Sequence, residues 1–220
     1  MDYKMINSGN SLLESFATVH EYPILRILRF ALVTLAATSC LIISQSALSA
    51  TLYSQPGASV SSASVISSNA VVNQDGSDGD VTAYDNFILS KTVVVKNVKW
   101  RGSSSNAGSA SFTINIYAST HDPAEQPDTS VPLGQIKVAG NANEKAVGNN
   151  LSDFNADFDR PLSLTTGVQY WISIVAIRND ASSWGWANGS GGDGRSIQSY
   201  SEFKILPAPG DRAFSLTDGR

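Results

Sequence analysis

The chain has 220 residues, a formal net charge of −4 and no cluster of lysine or arginine. Charged residues make up only 15% of it, below the roughly 25% of an average soluble domain, and small polar residues and glycine take their place. This balance argues against a nucleic-acid-binding surface and against binding to anionic membranes, because both need basic patches.

Residues 1–50 have the pattern of a removable export signal. Basic residues precede an apolar run at 30–43, and small residues follow it at 44–50. The run is shorter than the roughly 20 apolar residues of a membrane-spanning helix, so we expect no stable span after the signal is removed. Cleavage after Ser49 or Ala50 fits the pattern, and the long leading segment leaves open a translation start further along.

The one cysteine, Cys40, lies inside this apolar run. Residues 37–39 loosely resemble a lipoprotein processing site, but the run continues past Cys40, which favours a cysteine discarded with the signal. Residues 51–220 then form the mature part, a length suited to one domain. We expect this domain to be secreted or to reside in the periplasm.

The recurring pattern in the mature part is the two-residue alternation of half-buried β-strands. In chain order, strands are predicted near 62–72 and at 81–89, 93–100, 112–118, 132–139, 153–159, 162–165, 168–177, 195–203 and 213–217. The alternation at 153–159 places Phe154, Ala156 and Phe158 on one face and polar residues on the other. Many short strands with turns rich in glycine, asparagine and aspartate predict an all-β fold. Its expected form is a two-sheet antiparallel β-sandwich, jelly-roll or immunoglobulin-like in topology.

Residues that could carry catalysis are few. One histidine, His121, remains after the signal, in a proline-rich loop, and no GxSxG elbow accompanies it. A glycosidase needs two facing carboxylates, and Glu125, Glu144 and Glu202 do not fall in a strand pattern that pairs two acids. We therefore expect a protein that is not an enzyme, and a hydrolase with an unrecognised site is the least favoured alternative.

Residues 73–80 concentrate oxygen ligands. The carboxylates of Asp75, Asp78 and Asp80 are closely spaced, which suits Ca²⁺. The segment lacks the glycine and glutamate positions of an EF-hand, and a polar turn explains the same residues. The turn is the favoured interpretation, Ca²⁺ is the alternative, and no other cofactor is predicted.

A tryptophan pair is the most distinctive aromatic feature. Trp184 and Trp186 would lie on the same side of a strand, about 7 Å apart, with Asn188 and Asp193 in the loop that follows. Flat indoles beside polar side chains suit the apolar faces of sugar rings, so these four residues are the candidate ligand-binding site. The alternative, which is the simpler one, is that both indoles fill the core.

Six segments resemble the secreted bacterial β-sandwich domains found in PEP-CTERM and choice-of-anchor surface proteins: 84–89, 98–100, 112–117, 169–174, 184–198 and 211–217. The resemblance implies a jelly-roll or carbohydrate-binding-like domain outside the cell, and it brings no catalytic residues. The chain ends at Arg220 without the Pro-Glu-Pro motif, apolar helix and basic tail of many members, so free secretion is expected over anchoring.

Together, these patterns predict a secreted, non-enzymatic binding module for a carbohydrate or another cell-surface polymer. The alternative is a structural or adhesive component of an envelope or matrix that contacts other proteins.

Overall fold

A computed structural model describes residues 49–57, 64–69, 80–104, 111–120, 125–178, 182–200 and 205–219, all within the unit Leu48–Arg220. These ranges hold β-strands and no helix, and thus no helix that could span a membrane. The first seven strands are β1 (Thr51–Gln55), β2 (Ser64–Ile66), β3 (Ser68–Asn69), β4 (Val81–Ile88), β5 (Val93–Ser103), β6 (Ser111–Ala118) and β7 (Gly134–Val138). The remaining strands are β8 (Lys145–Gly148), β9 (Leu151–Leu164), β10 (Gln169–Ile177), β11 (Gly185–Ala187), β12 (Arg195–Tyr200), β13 (Ile205–Pro209) and β14 (Phe214–Thr217).

The first sheet is organised around β5. On one side β5 pairs with β9 from Val93 to Ser103, and β8 pairs with the far side of β9. On its other side β5 pairs with β14 and, at Gly102 near its C-terminal end, with β11. Strand β1 pairs with the far side of β14, and β2 pairs with the far side of β11. All these pairs are antiparallel.

The second sheet has the strand order β13-β12-β4-β3-β10-β6-β7. The short strand β3 lies between β4 and β10 where these two strands stop pairing, and it is the one strand parallel to its neighbour β10. Ser67 fixes this junction: its hydroxyl donates to the carbonyl of Ile174 at 2.7 Å and accepts from the amide of Ala83 at 3.0 Å. Its amide also donates to the carbonyl of Trp184 at 3.0 Å, which links this junction to the chain leading into β11.

The core lies between the two sheets and follows the predicted alternation. Phe154, Ala156 and Phe158 of β9 are buried in it, and so are Phe112 and Ile114 of β6. The prediction of an all-β fold with two antiparallel sheets packed as a β-sandwich is therefore confirmed.

Strand β9 is longer than the sequence pattern predicts. The two predicted strands 153–159 and 162–165 are one strand, interrupted where residues 158–161 bulge opposite Lys96. Because residues in a bulge do not all need a ladder partner, Pro161 is accommodated there without loss of a hydrogen bond.

Candidate functional site

The tryptophan pair lies in the core. Trp184 and Trp186 are both 0% exposed. The indole of Trp184 packs edge-on against the rings of Phe112 and Phe154, with centroids 5.3 and 6.1 Å away. Its Nε1 donates to the carbonyl of Ser103 at 2.8 Å. The prediction of an exposed aromatic platform is therefore wrong, because indoles enclosed on every side present no face to a ligand, and the core alternative is correct.

Asn188 and Asp193 do not accompany the indoles on a surface. The side-chain oxygen of Asn188 accepts a hydrogen bond from Nη1 of Arg212 at 2.5 Å. The carboxylate of Asp193 accepts from the side chain of Asn86 at 3.0 Å and from the amide of Arg195 at 2.9 Å. Both residues fix loops at one end of the sandwich.

A buried polar network missed by the sequence analysis lies beside them. The carboxylate of Asp85, 0% exposed, accepts from the backbone amides of Arg212 at 2.6 Å and Asn86 at 2.9 Å. Burial is the main cause that raises the pKa of Asp85 to about 8. The buried guanidinium of Arg212 also donates to the carbonyls of Pro209 and Gly210, and burial lowers its pKa. The sequence signal for this network is an aspartate, Asp85, in the middle of the predicted strand 81–89.

Apart from the hydrogen bond between Arg212 and Asn188, the contacts of this network are to backbone groups. Asp211 adds to it by accepting from the amides of Gly192 at 2.9 Å and Gly194 at 2.6 Å. The network thus holds the crossover from β13 of the second sheet to β14 of the first. Its arrangement is structural.

The outer face of the first sheet carries a long polar groove. Three clefts of about 330, 650 and 510 Å³ line up along β5 and β9. The first and second clefts share Asn143 and Lys145, and the first and third share Lys99 and Asn155, so they form one depression. We call it the β5–β9 groove.

Paired polar side chains cross the groove in its first and third clefts. Arg101 donates to Asp153 in a two-pronged ion pair, Nε to Oδ1 at 2.6 Å and Nη2 to Oδ2 at 3.0 Å. Further along, Nδ2 of Asn97 donates to Oδ1 of Asp157 at 2.8 Å. These cross-strand pairs hold their side chains in defined positions, which preorganises the floor of the groove.

The side chains in the middle of the groove make fewer hydrogen bonds and ion pairs with one another. Lys99 on β5 lies opposite Asn155 on β9 and Ser215 on β14, and its side chain is exposed. The side-chain oxygen of Asn155 accepts a hydrogen bond from Nδ2 of Asn143 at 3.2 Å. Within the described ranges the ammonium of Lys99 has no hydrogen-bond or ion-pair partner.

Four buried side-chain polar atoms near these clefts have no hydrogen-bond partner in the described part of the chain: Oε1 of Gln55, Oδ1 of Asn97, Oδ1 of Asn141 and Nε1 of Trp100. They are enclosed by protein, and the ring of Trp100 packs against Phe112 in the core, so they offer nothing to a ligand in the groove. The groups that the groove presents are the exposed side chains of Lys99, Asn143 and Lys145 and the half-buried side chain of Asn155.

The charges that line the groove nearly cancel. They are the cations Lys96, Lys99, Arg101 and Lys145 and the anions Glu144, Asp153 and Asp157. A surface with interspersed signs gives no strong field of either sign to attract a highly charged polymer.

The calcium prediction remains a prediction. Asp75 and Asp78 lie outside the described residues, and Asp80 is partly buried just before β4. No group of three His, Cys, Asp or Glu side chains is placed to hold a metal ion anywhere in the described ranges.

The other candidate residues do not come together. His121 and Glu202 lie outside the described ranges. Glu125 forms an exposed ion pair with Arg195 at 3.7 Å, and Glu144 lines the second cleft.

No protein-family model matches this chain, and no curated protein sequence matches it. The resemblance to PEP-CTERM and choice-of-anchor domains therefore remains a prediction from the residues.

Proposed function

We propose that this protein is an exported, non-enzymatic binding module that takes a hydroxyl-rich polymer, a polysaccharide of low net charge, along the β5–β9 groove. The single observation that supports this best is the continuous open groove in which the exposed Lys99 and the half-buried Asn155 lie between two fixed cross-strand polar pairs.

Sugar hydroxyls complement this lining because each one both donates and accepts. They can accept from the ammonium of Lys99, and they can both donate to and accept from the side-chain amides of Asn143 and Asn155.

The shape and charge of the groove also support an extended, weakly charged polymer. The β9 residues that line it from Ser152 to Asp157 span about 17 Å at the rise of a β-strand, room for several units of an extended chain. With cations and anions mixed along that length, binding to an uncharged polysaccharide should depend only weakly on salt.

The test is binding of the mature protein to uncharged, acidic and basic soluble polysaccharides, measured by affinity electrophoresis and titration calorimetry. We expect saturable binding to an uncharged polymer. Lys99→Ala should weaken it about tenfold, the effect of losing one charge-assisted hydrogen bond of roughly 1.5 kcal/mol. Asn155→Ala should weaken it in the same direction.

Lys137→Ala is the matched control, because Lys137 is an exposed strand lysine on β7 of the second sheet and its removal changes the net charge equally. It should leave the affinity unchanged. Binding to none of the polysaccharides, or equal weakening by Lys99→Ala and Lys137→Ala, would reject the groove as the binding site.

The second candidate is an adhesive or structural role through protein contacts, and one surface feature favours it. Ile66, Tyr200, Ile205 and Leu206 are exposed around the free end of the β12–β13 hairpin, where the side chain of Gln198 bonds to the carbonyl of Ile66. Exposed apolar groups of this kind mark protein-contact surfaces. In this case Leu206→Ser would abolish attachment to a partner protein while leaving polysaccharide binding intact.

A further inference from the structure

The described residues begin at Ser49, whose hydroxyl donates to Oδ1 of Asp218 at 3.3 Å, just beyond the last strand. The amide nitrogen of Ala50 donates to Oδ1 of Asp218 at 2.8 Å, and the amide of Asp218 donates to the carbonyl of Ala50 at 3.2 Å. The first rung of the β1–β14 ladder, Thr51 opposite Thr217, follows directly. Ala50 therefore continues the ladder by one further pair of contacts.

The sequence pattern allows signal cleavage after Ser49 or after Ala50. The two sites differ in the third-last residue of the signal that each would release. A cut after Ser49 has Ser49 and Ala47 at the last and third-last positions of the signal, both small. A cut after Ala50 has Leu48 at the third-last position, where a small residue is preferred.

We propose that export processing hydrolyses the Ser49–Ala50 peptide bond, so that the mature chain begins at Ala50 and its new terminal ammonium pairs with Asp218. Water supplies the hydroxyl of the new Ser49 carboxylate and the hydrogen of the new Ala50 amine. This inference rests on the export proposed above and is independent of the groove and its ligand.

The two possible cuts have different consequences for the fold. A cut after Ser49 converts the Ala50 nitrogen, already in contact with Asp218, from an amide into a charged donor, which strengthens the hydrogen bond. A cut after Ala50 removes that nitrogen and the carbonyl that accepts from the Asp218 amide. A cut after Ser49 gives up the hydroxyl contact of Ser49 with Asp218 but keeps both contacts of Ala50, whereas a cut after Ala50 loses all three.

The test is expression of the full chain in an exporting bacterial host, followed by intact mass and N-terminal sequencing of the exported protein. We expect the mass of residues 50–220. A start at Thr51 or elsewhere, or an exported chain that keeps its signal, would overturn the proposal.

Two variants test the reasons separately. Leu48→Ala makes the third-last residue of the signal small for a cut after Ala50. It should therefore give a mixture of chains starting at Ala50 and Thr51, and a single unchanged start would contradict the sequence argument.

Asp218→Asn should lower the melting temperature of the chain starting at Ala50 more than that of a chain starting at Thr51. Equal shifts would contradict the pairing. Neither result depends on polysaccharide binding.

Discussion

At the scale of single residues, the packing of Gly102 shows how tightly the core is specified. A Cβ atom at Gly102 would lie 2.0 Å from Cζ2 of Trp184 and 2.7 Å from the carbonyl oxygen of Gly185. Glycine usually weakens a strand, and its place in β5 is explained by this close approach of an indole. Gly102 and Trp184 thus act as a fitted pair.

We expect Gly102→Ala to destabilise the domain by about 1–3 kcal/mol, because the added methyl group overpacks the core against Trp184. Trp184→Phe removes the six-membered ring that the methyl group would strike, at the cost of a partial cavity. The double variant should therefore be more stable than the sum of the single losses predicts. Denaturant unfolding measures all four proteins, and strictly additive losses would contradict an energetic coupling between the two residues.

At the scale of elements, the sequence predicts strand faces better than strand partners. The alternation around Phe154 correctly separates the core face of β9 from its polar face. It does not predict that Asp153 lies beside Arg101, because pairing between strands about 50 residues apart leaves no local pattern. The groove depends on this pairing, so it could not be predicted from the sequence.

Some strands are also missed, for local reasons. The strands absent from the sequence prediction are β1, β8 and β13. Strand β11 is expected only as the strand that carries Trp184 and Trp186. Strand β13 contains Pro207 and Pro209, residues that argue against a strand unless it lies at an edge, as β13 does.

The free energy of unfolding should depend on pH because Asp85 is buried where the chain crosses into β14. Its ordinary pKa of 3.8 is raised to about 8 by burial, so the folded state holds a proton that the unfolded state releases between these values. The contribution of Asp85 to the free energy of unfolding is therefore greatest below pH 4, falls as the pH rises and levels off above pH 8.

Asp85→Asn removes this titration and is the matched control for the pH experiment. The difference in unfolding free energy between wild type and Asp85→Asn, measured by denaturant at each pH, should shrink from pH 4 to pH 8. A difference that is constant or grows with pH would show that Asp85 is ionised in the folded state.

At the scale of the whole molecule, the edge strand β13 affects the tendency of the protein to self-associate by strand addition. Pro207 pairs with Ile197, and Pro209 pairs with Arg195. Since proline has no amide hydrogen, these two positions face the free edge, and the residues between them bond to β12. The edge thus lacks two of the donors that an incoming strand would use.

Replacing both prolines with valine should restore these donors. We expect Pro207→Val with Pro209→Val to increase self-association relative to wild type at equal concentration, because strand addition at the β13 edge becomes possible. Sedimentation velocity across a concentration series measures this. Lys137→Ala on β7, the opposite edge, serves as the control, and equal association of all three proteins would contradict the role given to the prolines.

The pairing of β1 with β14 has a consequence for the time at which the domain can fold. Ala50 and Asp218 are 168 positions apart, so a chain that emerges from its N-terminal end exposes β1 long before its partner exists. Contacts this distant in sequence form late, because the loop between them must first be ordered. Strand β14 lies between β1 and β5, so the first sheet is completed only after residues 214–217 have left the ribosome.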